Sequence, residues 1–444
     1  MGSGFRCTKP DQEEDQIMTK VVVIGGGWAG TGAAVAAKNA GAEVVVLERT
    51  DMLLGTGLVG GIMRNNGRFT ATEEAIAMGG GEVFEVIDNN CRHKNIEFPG
   101  HKHASLYDVS TIEPAIKKLL LDKGIELHLQ ARVTDVEAEG EKIKAVICAD
   151  GTKYEGDVFV EATGSAGPMN NCAKYGNGCC CCALRCPTFG GRVSVAAKLG
   201  IKEFMGKKAD GSIGAMSGSM KLHKDSLAPE IQEKLNATGV AVCPIPVELQ
   251  KGEAALATKA CQQYALKEFN ENIILLDTGH AKLMSPFYPL EKLRKIPGFE
   301  NARIEDPYSG GIGNSMRYMA LSPRDNNLKV IGAENLFCGG EKAGLLVGHT
   351  EAIITGMVAA ANAVRYANGK ELITVPENLA IGDAIAHVNA MMKTEEGMGK
   401  KYTFSGAQYF KRMQELGLYK TDVAQIKADV EAAGMAGILA EKVC

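Results

Sequence analysis

Long apolar runs and an excess of basic charge are both missing from this sequence of 444 residues. Without a stretch of about 20 apolar residues, no membrane-spanning helix is expected. The first 20 residues are polar and contain no apolar segment of the signal-peptide type, so a cytoplasmic location is expected. The formal net charge is −4, whereas dedicated nucleic-acid binders carry a strong basic excess. Nucleic acid is therefore not an expected partner.

Aromatic residues are also few, at 6% with a single Trp, whereas glycine and cysteine are plentiful, with 53 and 13 residues. Glycine lets the backbone approach a phosphate-rich ligand closely. Cysteines in the cytoplasm are kept mostly reduced, so a cluster of them needs a chemical explanation.

A strand–helix–strand unit near the start of the chain carries a glycine fingerprint. The apolar runs 21–24 and 44–47 flank an Ala-rich segment, and Gly25 to Gly30 between them fits G-x-G-x-x-G. The first glycine permits the tight turn, the second lets the backbone approach a pyrophosphate, and the third lets the helix pack on the strand. Glu48 ends the second strand, where its carboxylate can accept from ribose hydroxyls. The predicted cofactor-binding residues of this unit are Gly25, Gly27, Trp28, Ala29, Gly30, Glu48 and Arg49.

This unit alone suits either NAD or FAD, and later motifs favour FAD. Glu161-Ala162-Thr163-Gly164 follows an apolar strand and resembles the second FAD-contact motif of flavoproteins with the two-dinucleotide-binding fold. Val133 matches their adenine-contacting position, and the segments 335–341 and 348–352 resemble their final FAD motif and the helix that follows it. The resemblance implies further FAD contacts from Val133, Ala162, Thr163, Gly164, Gly339, Gly340, Glu341, Gly348 and His349.

The family resemblance covers residues from about 21 to 367. Residues 107–136, followed by DVFVEATG, are similar to the flavin subunits of heterodisulfide reductases, whereas the block GGEKAGLLVGHTEA resembles the tRNA-uridine-modifying flavoproteins that use folate and FAD. The implied fold is α/β, with a Rossmann-like FAD-binding domain of the glutathione-reductase type that is split in sequence. A second domain is inserted in it, and a small helical region follows it.

The predicted domains are a flexible tail (1–17), an FAD-binding domain (18–195 and 321–375), a substrate or capping domain (196–320) and a helical C-terminal region (376–444). Patterning predicts a helix over 110–122, a hairpin turning at Asp150-Gly151, a buried strand within 329–340 and a helix over 350–367. Few strands are recognisable within 196–320.

The cysteine cluster lies near the end of the first segment of the predicted FAD-binding domain, at 172–186. Cys179, Cys182 and Cys186 give C-x2-C-x3-C-P, which resembles the end of a bacterial ferredoxin run, and Cys172 could supply a fourth thiolate. A 4Fe–4S cluster bound by these four residues is the first interpretation. A thiol/disulfide centre that uses Cys182 and Cys186, another metal such as zinc, and a loop without chemistry remain open. Cys243 is a further candidate nucleophile.

The leading hypothesis is an FAD-dependent oxidoreductase that transfers hydride to or from a small molecule and relays electrons through the cysteine centre. His349 would supply or take the accompanying proton, and Glu341 and Glu351 are candidates to line the flavin site. Only one complete glycine fingerprint is present, so a second, NAD-binding domain is not expected. A protein carrier or transiently bound NAD(P)H would exchange the electrons, and a homo-oligomer is the expected form.

Two alternatives remain. The first is a folate- and FAD-dependent RNA uridine methyltransferase, which the late glycine-rich block favours. The cysteine cluster and the balanced charge of the tail, with eight Lys/Arg against nine Asp/Glu from residue 376, oppose it. The second is an electron-transfer flavin subunit of a larger complex.

Overall fold

The computed structural model describes residues 18–164, 185–207, 211, 213, 215–216, 220–250, 252, 266–284, 288–305, 316–317 and 319–444. The helices are α1 (Trp28–Asn39), α2 (Gly57–Gly60), α3 (Gly67–Ala77), α4 (Gly81–Asn89), α5 (Ile112–Asp122), α6 (Cys186–Phe189), α7 (Val195–Lys198), α8 (Pro229–Thr238), α9 (Glu268–Glu271), α10 (Leu290–Leu293), α11 (His349–Ala367), α12 (Ala380–Met391), α13 (Glu395–Met398), α14 (Ala407–Glu415) and α15 (Val423–Ala432). The strands are β1 (Lys20–Ile24), β2 (Glu43–Leu47), β3 (Ile62–Met63), β4 (Cys91–Phe98), β5 (His101–Tyr107), β6 (Glu126–His128), β7 (Val133–Glu139), β8 (Lys142–Cys148), β9 (Lys153–Glu155), β10 (Val158–Glu161), β11 (Phe204–Met205), β12 (Ala215–Met216), β13 (Met220–Leu222), β14 (Val240–Pro244), β15 (Asn272–Asp277), β16 (Ala281–Leu283), β17 (Met316–Arg317), β18 (Ala320–Leu321), β19 (Leu336–Cys338) and β20 (Tyr402–Thr403).

A five-stranded parallel sheet in the order β19-β10-β1-β2-β6 forms the centre of the molecule. Val22 lies opposite Val45 on one side and Phe159 on the other, and all three side chains are fully buried. Such strands read as continuous apolar runs because helices or loops cover both faces of a parallel sheet. The strand β19 joins this sheet from a distant part of the sequence, which confirms the predicted split α/β fold.

Helices α1 and α11 cross at glycines with their backbones in close contact. A Cβ added at Gly356 would lie 2.0 Å from the carbonyl oxygen of Ala29, and one added at Gly32 would lie 2.5 Å from that of Ile353. Neither position has room for a side chain. The first residues of the two helices, Trp28 and His349, also lie close together, with 6.3 Å between their ring centroids.

A second lobe, defined here as the described residues between 220 and 305, contains the four-stranded antiparallel sheet β13-β16-β15-β14. It has its own apolar core, which includes Leu222, Leu275 and Phe299. The sequence pattern missed this sheet because β15 is buried along almost its whole length and therefore lacks alternation. Ile274 on its other face packs with Leu106 and joins the lobe to the small sheet β3-β5-β4.

The other predicted helices and strands are present in the structure, but one of the strands is shorter than predicted. The hairpin β8-β9 turns at Asp150-Gly151 as predicted, and α5 and α11 occupy the predicted helical segments. The strand predicted within 329–340 is shorter, because Lys329 and Val330 make only isolated bridges before β19.

Helices α12, α14 and α15 follow the long helix α11 and contribute to the same apolar core as the parallel sheet. The Glu74 carboxylate of α3 accepts from the amides of Ala380 and Ile381 and so caps α12. The exact domain boundaries stay a prediction. Among the residues that the structure describes, no helix is both long and apolar enough to cross a membrane.

The glycine contact between α1 and α11 gives a testable consequence. Gly356→Ala should lower the free energy of unfolding by about 1–3 kcal/mol, because its Cβ meets backbone that cannot move aside. Chemical denaturation measures this change. In Gly81→Ala, the new Cβ would lie 3.7 Å from the Ile76 side chain, so this control should be neutral or stabilise by up to about 1 kcal/mol. Equal effects of both substitutions would contradict the close contact.

Candidate functional site

A pocket at the carboxyl edge of β1, β2 and β10 extends to the start of α11. Every predicted cofactor-binding residue except Gly30 lines it. The structure therefore brings together motifs that are more than 300 residues apart in sequence, from Gly25 to His349. Further lining residues are Thr50, Leu58, Arg132, Arg185, Arg192 and Val193.

The glycine fingerprint has the geometry that its three roles require. Gly25 has φ +104°, and an added Cβ there would lie 2.4 Å from the Ala162 carbonyl oxygen. Gly30 lies behind the pocket, where an added Cβ would come within 1.8 Å of the Gly25 carbonyl oxygen. Gly27, the N-cap of α1, has no described protein atom within 4 Å of its Cβ position. The space beside the first turn of α1 is therefore open to a ligand, and the amides of that turn suit an anion.

Glu48 lies buried at the end of β2 and is held by backbone amides. Its Oε2 accepts from Gly26 N at 2.8 Å and its Oε1 accepts from Thr50 N at 2.8 Å. Each carboxylate oxygen has a second acceptor site. Glu48 also lines the pocket, so both backbone bonds are compatible with the predicted role toward a ribose.

Segment 185–192 closes over the same end of the pocket. Arg49 donates to Gly190 O at 2.7 Å, and Arg132 donates to Gly191 O at 2.9 Å. Arg185 forms an ion pair with Asp51. Three arginines from different parts of the chain therefore help to hold segment 185–192 in place. Their spacing along the sequence could not indicate this arrangement.

A buried cluster of charges lies behind the middle of the pocket. Glu161 and Lys342 are both fully buried, with 3.5 Å between Nζ and Oε1, and Lys342 also pairs with Glu203 and donates to Ser194 Oγ at 2.7 Å. Burial lowers the pKa of the Lys342 ammonium to about 7, against the opposing effect of Glu161. For Glu161, burial would raise the pKa, but the charges of Lys342 and Arg192 outweigh it and lower the value.

This cluster connects to the pocket through Arg192 and Thr163. Arg192 Nε donates to Thr163 Oγ1 at 3.2 Å, and that hydroxyl donates to Glu161 Oε1 at 3.0 Å. The Glu161 carboxylate also accepts from the amides of Val195 and Ala196. The pocket-lining cation Arg192 and the predicted motif residue Thr163 are thus positioned by a network that is almost closed to water.

The far end of the pocket is formed by α2 and the start of α11. His349 is the first residue of α11, and its ring lies over Gly60, where an added Cβ would be 1.7 Å from Cε1. Trp28 and Tyr107 surround it, with ring centroids 6.3 and 6.4 Å from that of His349. Gly348 must be glycine, because its φ is +146° and a Cβ would collide with Glu351 and Arg68.

The two candidate acidic residues near the flavin site have different positions. Glu341 lines the pocket. Glu351 is fully buried and accepts from Arg68 Nε at 3.0 Å, Thr403 Oγ1 at 2.7 Å and Phe404 N at 2.9 Å. It therefore anchors the start of α11 and does not line the pocket.

The cysteine predictions concern a region that the structure describes only at its end. Cys172, Cys179 and Cys182 lie outside the described residues, and Cys186 is a buried residue of α6 that does not line the pocket. Within the described ranges, no group of three or more His, Cys, Asp or Glu residues is placed to hold a metal ion. Cys243 faces Ile273 in the second lobe, and burial raises the pKa of its thiol, so the structure does not support it as a nucleophile at this pocket.

Loss of the buried ammonium should destabilise the fold. Lys342→Met leaves the Glu161 and Glu203 carboxylates without it, and we expect the free energy of unfolding to fall by about 3–5 kcal/mol. Urea denaturation at neutral pH measures this value. The control Lys411→Met removes an exposed cation that pairs with Glu415 and should cost less than about 0.5 kcal/mol. A similarly small cost for Lys342→Met would contradict the importance of the cluster.

Comparison with known proteins gives one family and a set of solved folds. The family model described as glucose inhibited division protein A matches residues 20–285 and 281–371. Two curated proteins are named methylenetetrahydrofolate–tRNA-(uracil-5-)-methyltransferase TrmFO. The Bacillus pumilus protein is 32% identical over 103 residues, and the Desulfotalea psychrophila protein is 31% identical over 103 residues. These matches cover 23% of this chain and only 23% and 22% of the two relatives.

Among solved structures, two crystal forms of Aquifex aeolicus GidA superpose on this chain with a TM-score of 0.65. The sequence identity is 17%, and the match covers 94% of this chain and 76% or 78% of the GidA chain. At this identity the superposition establishes a shared fold.

Proposed function

The chain belongs to the glucose inhibited division protein A family, and from that membership we propose that it is an FAD-dependent enzyme that modifies a uridine in tRNA. The observation that carries the proposal is the continuous pocket. It collects the glycine fingerprint, Glu48, the Thr163-Gly164 turn and the start of α11 along one edge of a parallel sheet. Ligands of open α/β sheets bind at this edge.

FAD suits the residues of the pocket. The open space beside Gly27 and the amino end of α1 would take the pyrophosphate, and Glu48 would accept from the adenosine ribose. Thr163, Gly164 and Gly339–Glu341 would line the flavin-side half, and His349 would lie at its end. When bound, the flavin supplies a centre for reversible two-electron transfer.

The chain's own residues would supply charge and proton transfer. Arg192 is fixed by Thr163 and the buried carboxylates, so it presents a cation to the pocket without further ordering. His349 is the proposed acid or base at the far end, where it can hold or release a proton beside the substrate. The amino end of α11 favours negative charge at this place.

Family membership favours the RNA-modifying alternative over the oxidoreductase with an electron relay. It also revises the expectation about nucleic acid, which rested on the net charge of −4. Net charge describes the whole surface, whereas a bound RNA meets only one part of it. Nucleic acid is therefore a proposed partner. The methyltransferase names of the two curated relatives suggest uracil C5 as the modified atom and a one-carbon folate as the donor.

A second candidate function rests on the cysteine-rich sequence 172–186. Four consecutive cysteines followed by Cys186-Pro187 still suggest an iron–sulfur or redox-cysteine centre, and such a centre would relay electrons from the flavin. Iron and sulfide assays on anaerobically purified protein would decide between this centre and simple thiols.

The direct test uses tRNA from a strain that lacks uridine modifications. We expect the purified protein to contain FAD, to retain this tRNA at moderate salt and, with methylenetetrahydrofolate, to yield a uridine that carries one extra methyl group in nucleoside mass spectrometry. A protein that contains FAD but neither binds tRNA nor changes any nucleoside would refute the RNA proposal. Turnover with a small molecule and an electron carrier would then favour the oxidoreductase.

A substitution at Gly27 separates cofactor binding from folding. Gly27→Val adds a side chain in space that no described protein atom occupies, at a backbone φ of −68° that valine tolerates. We expect FAD affinity to fall at least tenfold, or about 1.4 kcal/mol, while the apo protein unfolds at nearly the wild-type temperature.

Flavin absorbance of the purified variant and thermal unfolding of the apo form provide the two measurements. The matched control Gly30→Ala should destabilise the apo protein by about 1–3 kcal/mol, because its Cβ meets the Gly25 carbonyl. Wild-type FAD affinity in Gly27→Val would contradict the proposed position of the pyrophosphate.

A further inference from the structure

The wall of the pocket below His349 is the single helical turn α2, in which three successive carbonyl groups accept hydrogen bonds from side chains. Gly57 O accepts from Tyr107 Oη at 2.5 Å, Leu58 O from Lys221 Nζ at 3.3 Å, and Val59 O from Lys282 Nζ at 2.6 Å. The two lysines are register partners on β13 and β16. Three successive carbonyls are therefore fixed in direction by donors from three strands.

His349 meets this wall through Tyr107. The tyrosine hydroxyl oxygen lies 3.4 Å from His349 Nδ1, and the imidazole rests over Gly60, where no side chain fits. The Trp28 ring lies edge-on to Tyr107, with 5.9 Å between the ring centroids. Imidazole, phenol and wall thus form one packed group at the end of the pocket.

The proton of the Tyr107 hydroxyl is donated to the wall, in the hydrogen bond to Gly57 O. Burial raises the pKa of Tyr107 well above its ordinary value, so the hydroxyl keeps its proton. It has one proton to donate, and the 2.5 Å bond to Gly57 O uses it. Toward His349 the same oxygen can only accept. A neutral imidazole satisfies this contact only when Nδ1 carries the hydrogen.

We propose that Tyr107 is a positioning residue that holds the neutral His349 ring with its proton on Nδ1, so that Nε2 is the nitrogen that accepts a proton at the pocket. The step is a transfer of one proton from the substrate to Nε2, and no electron moves to the ring. Tyr107 continues to accept from Nδ1–H in the imidazolium that forms.

This inference rests on the proposed function for the origin of the proton. Replacing the hydrogen on uracil C5 by a methyl group releases one proton, and a nearby neutral base can take it. A neutral ring with the opposite tautomer would present an N–H group there and could not accept.

Nitrogen-15 NMR of protein labelled on its histidine rings tests the inference without RNA or folate. The chain has eight histidines, and loss of one signal pair in His349→Gln assigns the resonances. In the wild-type protein at neutral to mildly alkaline pH, we expect a protonated Nδ1 and an unprotonated Nε2 for His349. In Tyr107→Phe the ring should shift toward the tautomer with its proton on Nε2, which histidine prefers in water.

The control is Tyr402→Phe. It removes a buried hydroxyl that has no hydrogen-bond partner among the described residues, and the His349 signals should not change. A wild-type ring protonated on Nε2, or an unchanged tautomer in Tyr107→Phe, would overturn the inference. The wild-type spectrum decides the tautomer even if Tyr107→Phe fails to fold.

Activity then separates this inference from the function it rests on. If tRNA methylation is established, Tyr107→Phe should lower kcat by roughly tenfold to a hundredfold and leave KM for tRNA nearly unchanged. An absence of methylation by the wild-type protein refutes the proposed function, whereas the NMR result stands independently. An unchanged kcat in a folded Tyr107→Phe protein would overturn the role of Tyr107 in orienting the base.

Discussion

The close contact between α1 and α11 is the constraint on which the candidate site depends. Gly356 lies directly against the Ala29 carbonyl, and the first residues of the two helices, Trp28 and His349, have ring centroids only 6.3 Å apart. One helix starts at the glycine fingerprint and the other at His349. A pocket that requires both starts can form only if the helices approach to backbone contact, which explains why glycines and alanines dominate their shared surface.

The middle of the pocket depends on a different interaction. Ions are costly to bury singly, and here the buried Glu161 and the partly buried Glu203 are grouped with two buried cations, Lys342 and Arg192. Such a neutral set adds little net stability compared with apolar packing, but it fixes direction. In this protein the set holds Arg192, whose Nε donates to Thr163 Oγ1, in a fixed position at the pocket.

Elements formed by residues close in sequence could be predicted, whereas contacts between residues distant in sequence could not. The fingerprint strand, helix and second strand are local, and the apolar runs around Gly25 predict them correctly. The segment that contains β19 is also predicted, because the glycines that follow the strand, Gly339 and Gly340, resemble a known motif. The sheet of the second lobe was missed, since β15 is apolar along its length and a short apolar run has no distinctive period. Tyr107 and Lys342 were missed for another reason: their partners, Gly57 O and Glu161, are distant in sequence.

The end of the pocket shows how the second lobe contributes to a site that it does not line. A four-residue helix such as α2 has almost no stability of its own, because forming one turn fixes several residues for a single internal bond. Its position must come from outside, and the donors are Tyr107 and the paired lysines Lys221 and Lys282. The lysines belong to the second lobe, so the lobe fixes the position of α2. The Gly57 carbonyl of α2 then accepts the Tyr107 proton, and the Tyr107 oxygen orients His349. The lobe thus helps to determine the protonation geometry of the pocket through the backbone of α2.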